Sequence, residues 1–266
     1  MSCPVEFAPI AMSGRRVLVI SRHQTRLLLG DPGALVLFVI IPLLTMVIMK
    51  STQKSALLAA GYHDVTGAEE AVPGFTVMFA FFWLVFVGRT FFAEHGWGTW
   101  ERIQAMATTP EVMIGKLLPG FVVITTQMIL LFAIGDLALG LNSKGSLVDL
   151  IMVAPAMAFC VLALCFAIVS FCSTLSATDA VSNLLMLVFA SLGGALALTT
   201  ALPQWAQTIA PAIPSHWAMQ ASTDVILKGE GIGAVIGPTA ILLAFAVGFT
   251  VLGLMRFRPT DRKSIA

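Results

Sequence analysis

The sequence predicts an all-α integral membrane protein with six transmembrane helices, and three observations carry that prediction. Of 266 residues, 58% are hydrophobic and only 11% charged, with a mean hydropathy of +0.94; a soluble domain of this size needs far more polar surface to cover its core. Six apolar runs approach the roughly 20 residues a helix needs to cross hydrocarbon: Gly33 to Met49, Pro73 to Phe92, Leu117 to Leu139, Leu150 to Phe171, Val181 to Leu202 and Val235 to Met255. None alternates as barrel strands do, and lipid offers no partner to open backbone, so each run is read as a helix.

Ahead of the first run, Gly14 to Leu29 mixes Arg15, Arg16, Arg22 and Arg26 with Val17, Ile20, Leu27 and Leu28. That pattern suits an amphipathic interfacial helix anchored by its arginines on the cytosolic leaflet, or simple orientation of the chain by positive charge. No short apolar stretch with a small-residue cleavage site precedes it, so no signal peptide is expected. Eleven of the fifteen basic residues flank the first, second and last runs on one side: the four arginines above, Arg89, Arg102, Lys116, Arg256, Arg258, Arg262 and Lys263. Lys50, Lys54, Lys144 and Lys228 fall on the other. An even number of spans with this bias places both termini, and the segment between spans two and three, in the cytosol.

That segment, from Glu94 to Lys116, is short and charge-bearing. At 100° per residue Trp97, Trp100, Ile103 and Ala107 share one side of a helix, and Glu94, Gly98, Glu101, Arg102 and Ala105 the other. Trp97 and Ile103 are read as interfacial anchors at headgroup level, with the charged side turned to a partner. On the outer side, Lys50 to Val72 and Pro203 to Ala234 are the loops of substance; the second carries Pro203, Pro211, Pro214, Trp205 and Trp217, which suits short helices dipping into the outer interface before the last span. No linker, repeat or low-complexity tract divides the chain.

Several chemistries are excluded. A phosphate-binding G-x-x-x-x-G-K-[ST] loop fails because Pro110 stands where its first glycine should be and Leu117 follows Lys116. The four histidines, His23, His63, His95 and His216, all lie outside the spans, so an intramembrane enzyme is not expected. A net charge of +1 without a basic cluster gives no footprint for nucleic acid. Cys160, Cys165 and Cys172, in one apolar run without a histidine, read as small packing residues.

Polar and aromatic residues inside the runs leave alternatives open. Asp136 reads as reaching headgroups or Lys144, or as a relay; Arg89 as snorkelling to phosphates, or as pairing with Glu94. Thr125 and Gln127 could bond a substrate or join neighbouring helices. Phe82 and Phe86, in a stripe from Phe79 to Phe92, could line a greasy path or pack against lipid and protein.

The run Gly98-Thr99-Trp100-Glu101-Arg102, followed by Gly115-Lys116-Leu117-Leu118-Pro119, resembles the cytosolic loop of the ABC type 2 transporter permease family. Arg26 with Gly30-Asp31-Pro32 and Pro42 is similar to that family's approach to its first span, and Leu202-Pro203-Gln204-Trp205 through Pro214 to its outer segment before the last. The resemblance covers nearly the whole chain and implies one transmembrane domain over residues 1–266. It further implies that Glu94 to Met106, with Glu94, Gly98, Thr99, Trp100, Glu101, Arg102 and Ala105, is a coupling helix docking on a separate cytosolic ATPase. That partner would hold ATP and magnesium, leaving this chain without a cofactor of its own. A second permease copy or relative would complete the path, and the cargo implied is a drug, antibiotic or lipid exported from a bacterial inner membrane. A secondary multidrug carrier or channel is the alternative.

Overall fold

The computed structural model describes residues 13–30, 32–96 and 107–257. They form helices α1 (Gly14–Leu29), α2 (Pro32–Ala59), α3 (Ala68–Gly96), α4 (Thr109–Leu139), α5 (Val153–Phe171), α6 (Leu175–Leu192), α7 (Gln204–Ile209), α8 (Pro214–Ile226) and α9 (Ile232–Arg256). Two features make this a membrane body. Among the described residues, five helical segments are long and apolar enough to cross a bilayer: Ala68–Ala93, Pro110–Leu139, Leu147–Phe171, Leu175–Leu192 and Ile232–Arg256. Their outward faces are lined with residues such as Leu137, Leu184, Val247 and Met255, which a soluble protein would bury.

α3 and α5 are the enclosed helices, and the others surround them. α5 packs most extensively on α9, α3 on α6, α2 and α5, and α1 on α4. One large apolar core runs through this arrangement, with Phe75, Phe81, Trp83, Phe91 and Phe92 of α3 set among Met157, Val161 and Val169 of α5.

Several expected boundaries are corrected. α2 continues ten residues beyond Met49, where its polar side chains bond to neighbouring backbone: Lys50 Nζ donates to the Leu139 carbonyl at 2.5 Å and Gln53 Nε2 to that of Leu196 at 3.1 Å. α4 starts at Thr109, eight residues before the apolar run, so Gly115 and Lys116 lie inside it. The largest shift is in the fifth run, expected over Val181 to Leu202. α6 begins at Leu175, where the Thr174 hydroxyl accepts from the Ala177 amide, and ends at Leu192. Its stop is the pair Gly193-Gly194: Gly194 takes φ +88°, and the amides of Ala195 and Leu196 turn back to the Ala190 carbonyl.

The segment before the last helix forms two short helices. α7 leaves Trp205 exposed, whereas α8 is largely covered by protein. It packs on α3 and α9 and buries Ser215, Ala218, Met219, Ala221, Ser222, Val225 and Ile226, with Ser215 Oγ donating to the Phe189 carbonyl at 2.6 Å.

Candidate functional site

At the arginine-bearing end of the bundle α1 packs on α4, whose start is joined to the end of α3 in sequence by residues 97–106. Three side-chain ties converge on the two helix ends that carry that segment.

The first is Glu111, in the first turn of α4. The Thr108-Thr109-Pro110-Glu111 order is a capping sequence: the acid returns to the Thr108 amide, which donates to its Oε2 at 2.7 Å. Its Oε1 accepts from the Ser13 amide at 2.6 Å, and Arg16 lies 3.7 Å from Oε2. Glu111 is fully buried, so one carboxylate caps two helix starts, those of α1 and α4. Gly115 completes the contact one turn on. A Cβ there would lie 2.7 Å from Ile20 Cγ2 and 3.3 Å from the Val17 carbonyl, so only glycine lets α1 come this close. Ser21 Oγ donates to the Gly115 carbonyl at 3.1 Å.

The second tie is Lys116, buried despite its charge. Its Nζ donates to the Thr90 carbonyl at 3.2 Å and sits 4.5 Å from the centre of the Phe91 ring, joining α4 to α3 across the intervening segment. The third is Arg89, which pairs with Asp179 of α6: Nη2 donates to Oδ2 at 2.8 Å and Nε to the same oxygen at 3.2 Å. The fork geometry fixes orientation more than it stabilises, since the Arg89 side chain is 60% exposed. Asp179→Arg should therefore cost about 1 kcal/mol or less, and Arg89→Asp with Asp179→Arg should recover it. Thermal unfolding of the two singles and the double checks this, and independent, additive losses would refute the pairing.

The residues expected from sequence fall as follows. Glu94 lies on the last turn of α3, whereas Trp97, Gly98, Thr99, Trp100, Glu101, Arg102, Ile103 and Ala105 lie outside the described residues. Arg15, Arg22 and Arg26 are exposed on α1, as headgroup anchors would be. Arg16, partly exposed, lies 3.7 Å from Glu111. Arg89 pairs with Asp179, and the side chain of Glu94 lies outside what the structure describes. Asp136 is exposed and forms no ion pair with Lys144.

Phe82, Phe86, Thr125 and Gln127 do not form one lining. Gln127 is used in joining helices: its Nε2 donates to the Phe38 carbonyl at 2.8 Å, and its Oε1 accepts a short hydrogen bond from Trp83 Nε1. Phe86 meets Trp83 and Phe38 edge-on in that same α2–α3–α4 lock. Thr125 projects about 200° from Gln127 around α4 and has a buried hydroxyl without a partner. Phe82 stacks on Phe79 at 4.9 Å. Together with Met78, Val85, Phe86 and Ala93 it forms the half-covered stripe of α3, which passes exposed Arg89.

Sequence reasoning missed Glu111 and Asp179. The first was signalled by the Thr-x-x-Glu spacing before an apolar run. The second carried no local signal, since its partner is 90 residues away.

A body that is helical throughout its regular structure among the described residues, with several membrane-length helices, defines a multi-pass membrane protein. Within that class, residues 44–255 match the family described as ABC-2 family transporter protein, and the chain belongs to it. It is also similar to the "Linearmycin resistance permease protein LnrN" of Bacillus subtilis (strain 168), at 25% identity over 186 residues, 70% of this chain and 48% of the relative. The chain thus spans about half the length of that curated relative.

Proposed function

We propose that the chain is the permease subunit of an ATP-driven exporter in a bacterial cytoplasmic membrane, with six spans, both termini cytosolic, and a coupling helix at Glu94 to Met106. The sixth span in this reading is α2, whose apolar part runs from Gly33 to Met49. A separate ATP-binding-cassette subunit supplies ATP, magnesium and hydrolysis, and a second permease, identical or related, completes the path. The supporting observation is the convergence of the Glu111, Lys116 and Arg89 ties on the helix ends that bear residues 97–106. A push on that segment is passed to α1, α3, α4 and α6 together, which is what a rigid-body rocking mechanism requires.

The path is assigned to the half-covered α3 stripe of Phe82 and Phe86, facing the second permease. An apolar lining favours a hydrophobic or amphipathic cargo, and the likeness to a permease named for linearmycin resistance supports a drug-like one. Co-purification tests the assembly: a tagged chain should bring down an ATPase carrying a G-x-x-x-x-G-K-[ST] loop, and ATP hydrolysis should copurify with it. A stable chain isolated from its native membrane without such a subunit would argue for a secondary carrier instead.

A further inference from the structure

At the end opposite the arginines, a cavity of about 160 Å3 opens between the start of α3, the Gly194–Thr200 turns and α8. Glu70 lines it. Glu70 is 1% exposed, and its Oε2 is sealed from water without a hydrogen-bond partner. The start of α3 does not explain this acid, because Glu69 beside it already accepts from the amides of Thr66, Gly67 and Asn142. His216 of α8 lines the same cavity, and its Nδ1 is also buried without a partner. Burial holds that imidazole below its ordinary pKa, so it is neutral and able to accept near neutral pH.

The remaining charges cancel. Lys228 Nζ is bonded to Asp224 at 2.6 Å, and that bond above all holds its ammonium in the charged form. Glu70 stands outside that pair. A carboxylate oxygen buried without a donor costs several kcal/mol, a cost that an entering donor with positive charge would offset. Leu198 and Met219 supply an apolar wall, and the volume is below the roughly 300–1,000 Å3 of a drug-sized site.

We propose that this cavity binds a small protonated primary amine, whose N–H groups are shared between Glu70 and His216 while its carbon chain lies along Leu198 and Met219. The amine is either a lipid headgroup or a soluble molecule. The site lies apart from residues 97–106, so the proposal does not rest on the coupling reading.

The test uses the purified full chain in phosphatidylcholine nanodiscs, titrated with ethanolamine while tryptophan fluorescence and thermal unfolding are followed. Trp217, 5.4 Å from the His216 ring, is a local reporter. Saturable binding is expected, at least tenfold tighter than for N-acetylethanolamine, whose uncharged nitrogen lacks the ammonium. Glu70→Gln should weaken ethanolamine at least tenfold, whereas Asp136→Asn, at an exposed acid, should leave it unchanged. If Glu70→Gln does not fold, the comparison of the two ligands on unaltered protein still decides. Replacing part of the phosphatidylcholine with phosphatidylethanolamine separates the sources: competition against free ethanolamine identifies the headgroup, and unchanged affinity identifies a soluble amine. Equal binding of N-acetylethanolamine overturns the proposal, as does the absence of both ethanolamine binding and stabilisation by phosphatidylethanolamine.

Discussion

Glu111→Ala should release α1 from the bundle while leaving the membrane helices inserted. The carboxylate satisfies the Ser13 and Thr108 amides at 2.6 and 2.7 Å and faces Arg16, so its removal strands two donors and a guanidinium in a closed site. Bonds to a charged acceptor contribute about 1.5 to 3 kcal/mol each, and the pair shares one group, so a loss of about 3 kcal/mol is expected. That shifts the docking of α1 by about a hundredfold. Cysteines placed at Ile20, which α4 now covers at Gly115, should then label readily in the Glu111→Ala background and poorly otherwise. Glu111→Gln should be intermediate, because the amide oxygen can still accept one of the two bonds. Equal labelling in all three backgrounds would show that Glu111 does not hold α1.

Reversing Glu101→Lys together with Arg102→Glu should abolish export, by at least tenfold, without reducing the amount of chain in the membrane. Read as a helix at 100° per residue, the sequence turns both residues away from Trp100 and Ile103, on the side proposed to meet the ATPase. Reversed charge at a docking surface costs several kcal/mol through juxtaposed like charges. ATP hydrolysis by the partner should continue, measured in the same preparation, because the nucleotide site is elsewhere. Export at the parental rate would remove these residues from the coupling surface.

The two variants probe different links in one chain of contacts, and they also show what the sequence could carry. Hydrophobic runs locate the helices because hydrocarbon imposes a minimum length, and that constraint is local. Where a polar residue finds a distant partner, the run misleads. Lys50 looks like the end of a span, yet it donates to Leu139 and the helix continues; Lys116 looks like a loop cation, yet it is buried on Thr90 and Phe91.

The fifth run shows the opposite error. Apolar residues continue past Leu192, but Gly193-Gly194 ends the helix by its own turn geometry, a signal that hydropathy ignores. For the functional end, the Gly115-Lys116 order was legible as a motif, whereas its physical content was not: Gly115 is there because Ile20 touches it. From sequence Arg89 reads as snorkelling to phosphates or as pairing with Glu94, and its contact with Asp179 is found only once α3 and α6 are packed together. Glu70 stood unremarked beside Glu69, and only their divergent hydrogen bonding separates a helix cap from a cavity acid.

The central claim is that this chain moves solute only when an ATPase drives it through residues 97–106. Sealed vesicles containing the purified chain, with and without the copurifying ATPase, should be compared for uptake of a fluorescent amphipathic cargo in the presence of ATP and magnesium. The account predicts accumulation in inside-out vesicles only when the ATPase is present, and none with a non-hydrolysable analogue. Accumulation by the chain alone, driven by an ion gradient and indifferent to ATP, would contradict it.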